Sequence, residues 1–252
     1  MTTNNRRKFI RNAVAGAGFL SLPSLLQAQP GVKMKPRKIV CAGGHPDDPE
    51  TCCGGTVARL TAAGHEVTIV YLTGGEAGIP GRSHADSAAI RHKEGLNACS
   101  VLKAKPVFVG QIDGASVVNN EWIAKIQALL EAEQPDIVFT HWPVDMHPDH
   151  QAMSLMIMQA WRKARRKFSL YFFEALTGQQ TRVFHPTDYV DISDTQEQKR
   201  KAVYCHASQL PDKMYSDGHG AMEKFRGMEL GVKAGEAFIR MNGKRQGGLV
   251  IS

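Results

Sequence analysis

No acidic side chain occurs before Asp47, and none of the five cysteines stands in a CxxC pair. The first absence marks off an N-terminal segment, residues 1–28, whose only charges are Arg6, Arg7, Lys8 and Arg11. The second excludes a thiolate-ligated structural metal site, and a chain of 252 residues is too long for a disulfide scaffold. Cys41, Cys52, Cys53, Cys99 and Cys205 therefore read as buried structural thiols. The glycine fingerprint of dinucleotide binding is missing too. Where its turn would follow the first strand stands His45-Pro46-Asp47-Asp48, and a proline there removes a backbone donor that a pyrophosphate requires. Long apolar runs are also lacking. Ala13 to Leu26 is broken by Gly16, Gly18, Ser21 and Pro23, which excludes a stable membrane span.

Charge of one sign is scarcer than the formal +7 suggests. Without the four N-terminal cations the balance is +3, with 27 basic and 24 acidic side chains. The one basic cluster, Arg162, Lys163, Arg165, Arg166 and Lys167, closes a predicted helix, where cations complement the helix dipole. No aromatic platform accompanies it, so no nucleic-acid partner is expected.

The N-terminus reads as an address. Asn5-Arg6-Arg7-Lys8-Phe9-Ile10 is a twin-arginine pattern, followed by a short apolar region and Gln27-Ala28-Gln29. These are the parts of an export signal, so residues 1–28 are expected to be removed and the mature domain, 29–252, to reside in the periplasm.

From residue 37 apolar strands alternate with helical stretches. Strands are expected at 38–43, 66–73, 106–110, 136–141, 169–174 and 189–192. Helices are expected at 51–63, 85–102, 120–133, 148–166 and 194–206. Near-continuous apolar strands separated by helices predict an α/β fold: one Rossmann-like domain with a mostly parallel sheet and helices on both faces.

Two short segments then stand out, Gly43-Gly44-His45-Pro46-Asp47-Asp48 and His147-Pro148-Asp149-His150. Each follows an apolar strand, where ligands of open α/β sheets collect. Together they supply two or three metal ligands and a spare carboxylate, the set that a zinc-dependent hydrolase needs. A single His-Pro-Asp is ordinary turn chemistry. Two at corresponding strand ends are not.

The pair resembles the PIG-L/LmbE-like family of zinc-dependent N-deacetylases, whose pattern is an AHPDDE-like segment after the first strand and an HPDH-like segment after a later one. Satellites extend the likeness: Arg91, Glu94 and Ala98, Gln111-Ile112-Asp113-Gly114, the stretch 199–209 (KRKAVYCHASQ) and Ala234 to Phe238 (AGEAF). The resemblance implies that His45, Asp48 and His150 bind the metal, zinc or alternatively iron(II). It makes Asp47 the general base. His147 stabilises the oxyanion or assists the leaving amine, with Asp149 orienting it. Arg91 and Asp113 contact the sugar, although an ion pair and a turn are their ordinary alternatives. His206 reads as a helix-end or rim histidine, and no ligand role is expected for His65, His84, His92, His141, His185 or His219.

Two positions depart from the pattern. Pro49 stands where the family has Glu, with Glu50 one place later, and Gly44 replaces the usual Ala. Thr51 is expected to cap the helix, Pro49 to rigidify its start, and Glu50 to sit near the positive end of its dipole. The resulting expectation is an exported zinc amidohydrolase that removes an acetyl or related acyl group from a small amino sugar or glycoconjugate. A zinc hydrolase of another amide or ester, and a non-catalytic carbohydrate-binding protein, remain as alternatives. The sequence leaves the oligomeric state open.

Overall fold

Strand β1 (Lys38–Gly43) is an interior strand of a seven-stranded sheet of order β3-β2-β1-β4-β5-β7-β6 in the computed structural model, which describes residues 35–241. Strands β2 (Glu66–Thr73), β3 (Lys105–Gln111), β4 (Ile137–His141) and β5 (Ser169–Phe173) run parallel to it. The expected export segment lies outside the described residues. From Pro36 the chain forms one compact unit, an α/β domain with a mostly parallel sheet.

Successive side chains of a strand face opposite sides, and here both sides are covered. Ile39, Cys41, Ile69, Tyr71 and Phe139 pack on one face against α1 (Asp48–Ala62), α2 (His84–Leu102) and α5 (Gln196–Val203). Val40, Ala42, Val70, Val138 and Phe172 pack on the other against α3 (Asn120–Glu133) and α4 (Pro148–Lys163). That double cover is why the strands lack polar alternation. Helix starts follow local chemistry. Ser83 Oγ accepts from Asp86 N–H at 3.1 Å and Asn119 Oδ1 from Trp122 N–H at 2.9 Å.

All five thiols are free, four of them buried, and burial pushes each one up, Cys99 to about 12. They are inert by that criterion.

The C-terminal part departs from expectation. The stretch after residue 211, unread in the sequence, forms the short α6 (Pro211–Met214), a π-helical turn (Tyr215–His219), α7 (Gly220–Leu230) and β7 (Gly235–Arg240). Strand β7 runs antiparallel between β5 and β6 (Asp188–Asp191). Its Glu236 explains the AGEAF stretch. Helix α1 is kinked at Cys53 (φ −144°), which frees the next amides, as at any helix start. Glu236 accepts from Gly55 N–H at 2.9 Å and Thr56 N–H at 2.7 Å, and it also takes Lys199 Nζ at 2.7 Å. Lys199 binds Glu223 at 2.9 Å as well, and all three side chains are buried.

Removing one partner of such a group strands the others. Lys199→Met is predicted to lower unfolding free energy in urea by about 3–5 kcal/mol. Glu197→Ala, which breaks the exposed pair with Arg200, is predicted to leave it nearly unchanged. Equal effects would contradict the buried network.

Candidate metal centre

The strand order reverses between β1 and β4, so the chain leaves these adjacent strands toward opposite sides and opens a crevice at their carboxyl ends. Both His-Pro-Asp segments begin there. Gly44 N–H donates to His141 Nε2 across the seam at 3.1 Å.

The first segment turns sharply. A Cβ on Gly43 would lie 2.7 Å from Pro49 Cδ, and one on Gly44 would lie 2.9 Å from His150 Cδ2. Glycine at 44 thus lets the two motifs close on each other. Asp47 takes φ +132°, a region that disfavours any side chain. Helix α1 starts at Asp48, three residues before the expected start at 51, with Pro49 in its first turn. Thr51 does not cap it. Its hydroxyl donates back to Asp47 O at 2.9 Å and Asp48 O at 3.1 Å, because the turn aims those carbonyls inward. Glu50 stays in the first turn but enters the core, where it accepts from Tyr71 Oη and lies 3.7 Å from His206 Nε2. His206 is fully buried.

The three expected ligands meet at one carboxylate. Asp48 Oδ2 lies 3.2 Å from His45 Nδ1, and Asp48 Oδ1 lies 3.2 Å from His150 Nε2. His141, for which no ligand role was expected, places Nε2 3.3 Å from Asp48 Oδ2 and stacks on His150 at 3.8 Å. On the far side, His45 Nε2 faces Asp113 Oδ1 at 3.1 Å and Asp149 Oδ2 at 3.0 Å. Three overlapping sets of donor atoms within 4.8 Å result: His45, His147 and His150; His45, Asp113, His147 and Asp149; Asp48, His141 and His150. Imidazoles and carboxylates alternating at this spacing are a donor set that suits zinc or iron(II).

Asp47 stands apart from this set. Its Oδ2 accepts from Arg91 Nη2 at 2.8 Å, and the same nitrogen donates to Pro46 O at 2.5 Å. Arg91 is 3% exposed, so it is a buried clamp on the motif rather than a surface ion pair. Asp113 lines the cleft, and its other oxygen accepts from Ala77 N–H at 3.0 Å.

The second segment is set by its own capping. Pro148 opens α4, and His147 Nδ1 accepts from Asp149 N–H at 3.3 Å. Asp149 was expected to orient His147. Its backbone does so, whereas its carboxylate lies 4.0 Å from that ring and binds His45, Gly114 N–H and Ser116 N–H instead.

Burial raises Asp47 above the usual carboxylate range, and the Arg91 charge opposes that rise. For Asp48 burial acts in the same direction, but His150 and His141 outweigh it and hold the group well below its ordinary value. One motif therefore contains two carboxylates of opposite character. Burial lowers His147, with the neighbouring His45 and His150 adding to the effect.

Two further residues escaped the sequence reading. Asp145 Oδ1 lies 3.1 Å from His150 Nδ1 and accepts from His147 N–H at 2.9 Å, while its Oδ2 accepts from Thr181 Oγ1 at 2.8 Å. It fixes the His150 ring through the nitrogen facing away from the cluster. Its signal was a carboxylate two places before the second motif. His219, read as a loop residue, is buried in the π-helical turn and lines the same cleft, a cavity of about 660 Å³ with Asp47, Arg91, His147 and Gln209 in its wall. No signal near it in the sequence marks this placement.

With this geometry in hand, the likenesses to known proteins can be placed on it. Residues 40–161, which span both motifs, match the model of the PIG-L family, described as GlcNAc-PI de-N-acetylase. The diacetylchitobiose deacetylase of Thermococcus kodakarensis is 28% identical over 193 residues, or 71% of this chain and 72% of that protein. The uncharacterized deacetylase YaiS of Escherichia coli is 30% identical over 135 residues, covering 51% of this chain and 70% of that one. The solved N,N'-diacetylchitobiose deacetylase of Pyrococcus horikoshii superposes with a TM-score of 0.73 at 28% identity, covering 81% and 84% of the two chains.

Two outcomes are predicted. Asp145→Ala is expected to weaken zinc binding about 10–100-fold in chelator competition; unchanged affinity would contradict its role. His219 is lowered to about 4 by burial, with Lys199 adding to the effect. An unfolded histidine titrates near 6.5, so between these values the unfolded chain binds a proton that the folded one does not. The stability contribution is complete above that range and is lost as pH falls through it. His219→Gln is therefore expected to flatten the decline of Tm over the same range, and an unchanged slope would refute the assignment.

Proposed function

The chain belongs to the PIG-L (GlcNAc-PI de-N-acetylase) family, and we propose that it is a zinc-dependent N-deacetylase that hydrolyses the N-acetyl or a related amide of an amino sugar or its conjugate. The observation that carries the reading is the division of labour between Asp47 and Asp48. Asp48 lies between two imidazoles, whereas Asp47, one residue earlier, keeps one oxygen on Arg91 and the other unbonded among the described residues. The relatives' recorded activities supply the substrate class, since diacetylchitobiose is an N-acetylated amino sugar.

His45, Asp48 and His150 would hold the ion. When bound, it supplies Lewis-acid polarisation of the amide carbonyl and acidifies water. The remaining steps belong to the chain. Asp47 Oδ1 takes the proton of the attacking water, and burial makes this carboxylate a stronger base while Arg91 keeps it ionised. His147 Nδ1 accepts a backbone N–H, so the neutral ring carries its hydrogen on Nε2 and can donate it to the oxygen that gains charge. Asp47 then returns its proton to the departing amine. Asp145 and Asp149 hold His150 and His45 in place. Arg91, by clamping Asp47, positions the base, and with Asp113 it lines the space in which the sugar would lie.

The same proposal includes export. Residues 1–28 act as a twin-arginine signal that delivers domain 29–252, folded and metal-loaded, to the periplasm. Arg6-Arg7 and the short apolar stretch after them support this.

Free-amine release from N-acetylglucosamine and its glycosides tests the activity. Asp47→Asn is expected to lower kcat about 10²–10⁴-fold while the protein still carries one zinc per chain. His147→Ala is expected to lower kcat about 10²–10³-fold, also with metal retained. Full turnover in Asp47→Asn would overturn the reading.

A further inference from the structure

We infer that the cleft continues into a second, apolar compartment that receives an alkyl or acyl substituent of the substrate; this rests on the deacetylase reading and deepens it. A cavity of about 280 Å³ shares Leu176, Gln179, Gln209 and Met214 with the cleft that holds Asp47 and His147. Leu210 and Lys213 complete its outer wall. The two spaces are therefore continuous, and a molecule whose amide lies at the metal centre can reach from one into the other.

The wall chemistry differs sharply between them. The cleft is lined by Asp47, Asp48 and Asp113, whereas no carboxylate lines the compartment among the described residues. Its side walls are Leu176, Leu210 and Met214. Leu210 is 68% exposed, an apolar surface that the fold's own packing leaves uncovered. Both leucines also hold left-handed backbone, Leu176 at φ +56° and Leu210 at φ +51°. That conformation crowds a Cβ against its carbonyl, and such strained positions concentrate where ligands are clamped. Both line this one small space.

The polar side chains in its described lining are Gln179, Gln209 and Lys213, few for a second sugar. Gln209 Nε2 is occupied by Gly78 O at 3.3 Å and Ser208 Oγ at 3.0 Å. No aromatic ring is present to stack on a pyranose face. Lys213 stands at the edge of the space, and its long stem suits an apolar rim. An uncharged hydrocarbon group is the occupant that this lining accommodates. It is either the aglycone of a glycoside or the acyl chain of the amide itself.

Calorimetry on the full, zinc-loaded chain carrying Asp47→Asn separates binding from turnover. The probes are methyl and hexyl glycosides of N-acetylglucosamine, and the methyl glycoside of N-hexanoylglucosamine. Either the hexyl or the hexanoyl compound is expected to bind at least about tenfold more tightly than the methyl N-acetyl compound, roughly 1.4 kcal/mol. The arm that gains identifies the substituent. Adding Leu210→Asp, at an exposed position where aspartate accepts the left-handed backbone, is expected to cut that gain to less than about threefold, and Met214→Gln to do the same. Equal affinity for all three probes, or a gain that both substitutions leave intact, overturns the compartment. A gain without amine release from any probe by the unsubstituted enzyme would refute the deacetylase reading and leave the compartment standing.

Discussion

Like charges gathered in a buried space must be separated by opposite ones, and this constraint shapes the carboxyl end of the sheet. Asp47, Asp48, Asp113 and Asp149 converge beside β1 and β4. Each meets a cation or imidazole: Arg91 for Asp47, His150 and His45 for Asp48, His45 for Asp113 and Asp149. Taking these groups out of water singly would be costly. Interleaved, they form a set of donor atoms that a divalent ion would complete, with Asp47 as the outlying carboxylate.

The surrounding fold maintains that interleaving. Gly43 and Gly44 let the first motif lie against Pro49 and His150, and Arg91 holds the strained Asp47 from below by taking both its side chain and the preceding carbonyl. From the other side, Thr181 bridges to Asp145 and so braces His150 from a segment thirty residues downstream. Glu236 repairs the kink in α1 just beyond the site. Each of these residues acts through another. Disturbing them should shift geometry before it removes chemistry.

Much of this was legible in the sequence, for identifiable reasons. Strands β1, β2, β4 and β5 carry continuous apolar runs because both sheet faces are covered, so their positions and their parallel sense follow from composition alone. The convergence of His45, Asp48 and His150 was legible because both motifs follow strands whose carboxyl ends meet at one edge. What was missed depends on distant partners. Strand β7 is six residues with a buried Glu236, and that burial makes sense only beside Lys199, 37 residues earlier. Asp145 and His219 carry no motif, and their meaning lies in the ring or cavity they reach. Arg91 shows the limit within a recognised pattern: its position was anticipated, but its bond to Asp47 appears only in three dimensions.

Anomalous diffraction from crystals grown with zinc tests the central claim most directly. The account predicts one ion bound by His45, Asp48 and His150 at about 2.0–2.2 Å, with Asp47 outside its coordination and still on Arg91. An ion held instead by His45, Asp113, His147 and Asp149 would contradict the expected ligand set and occupy His147, and one that takes Asp47 as a ligand would leave no free base.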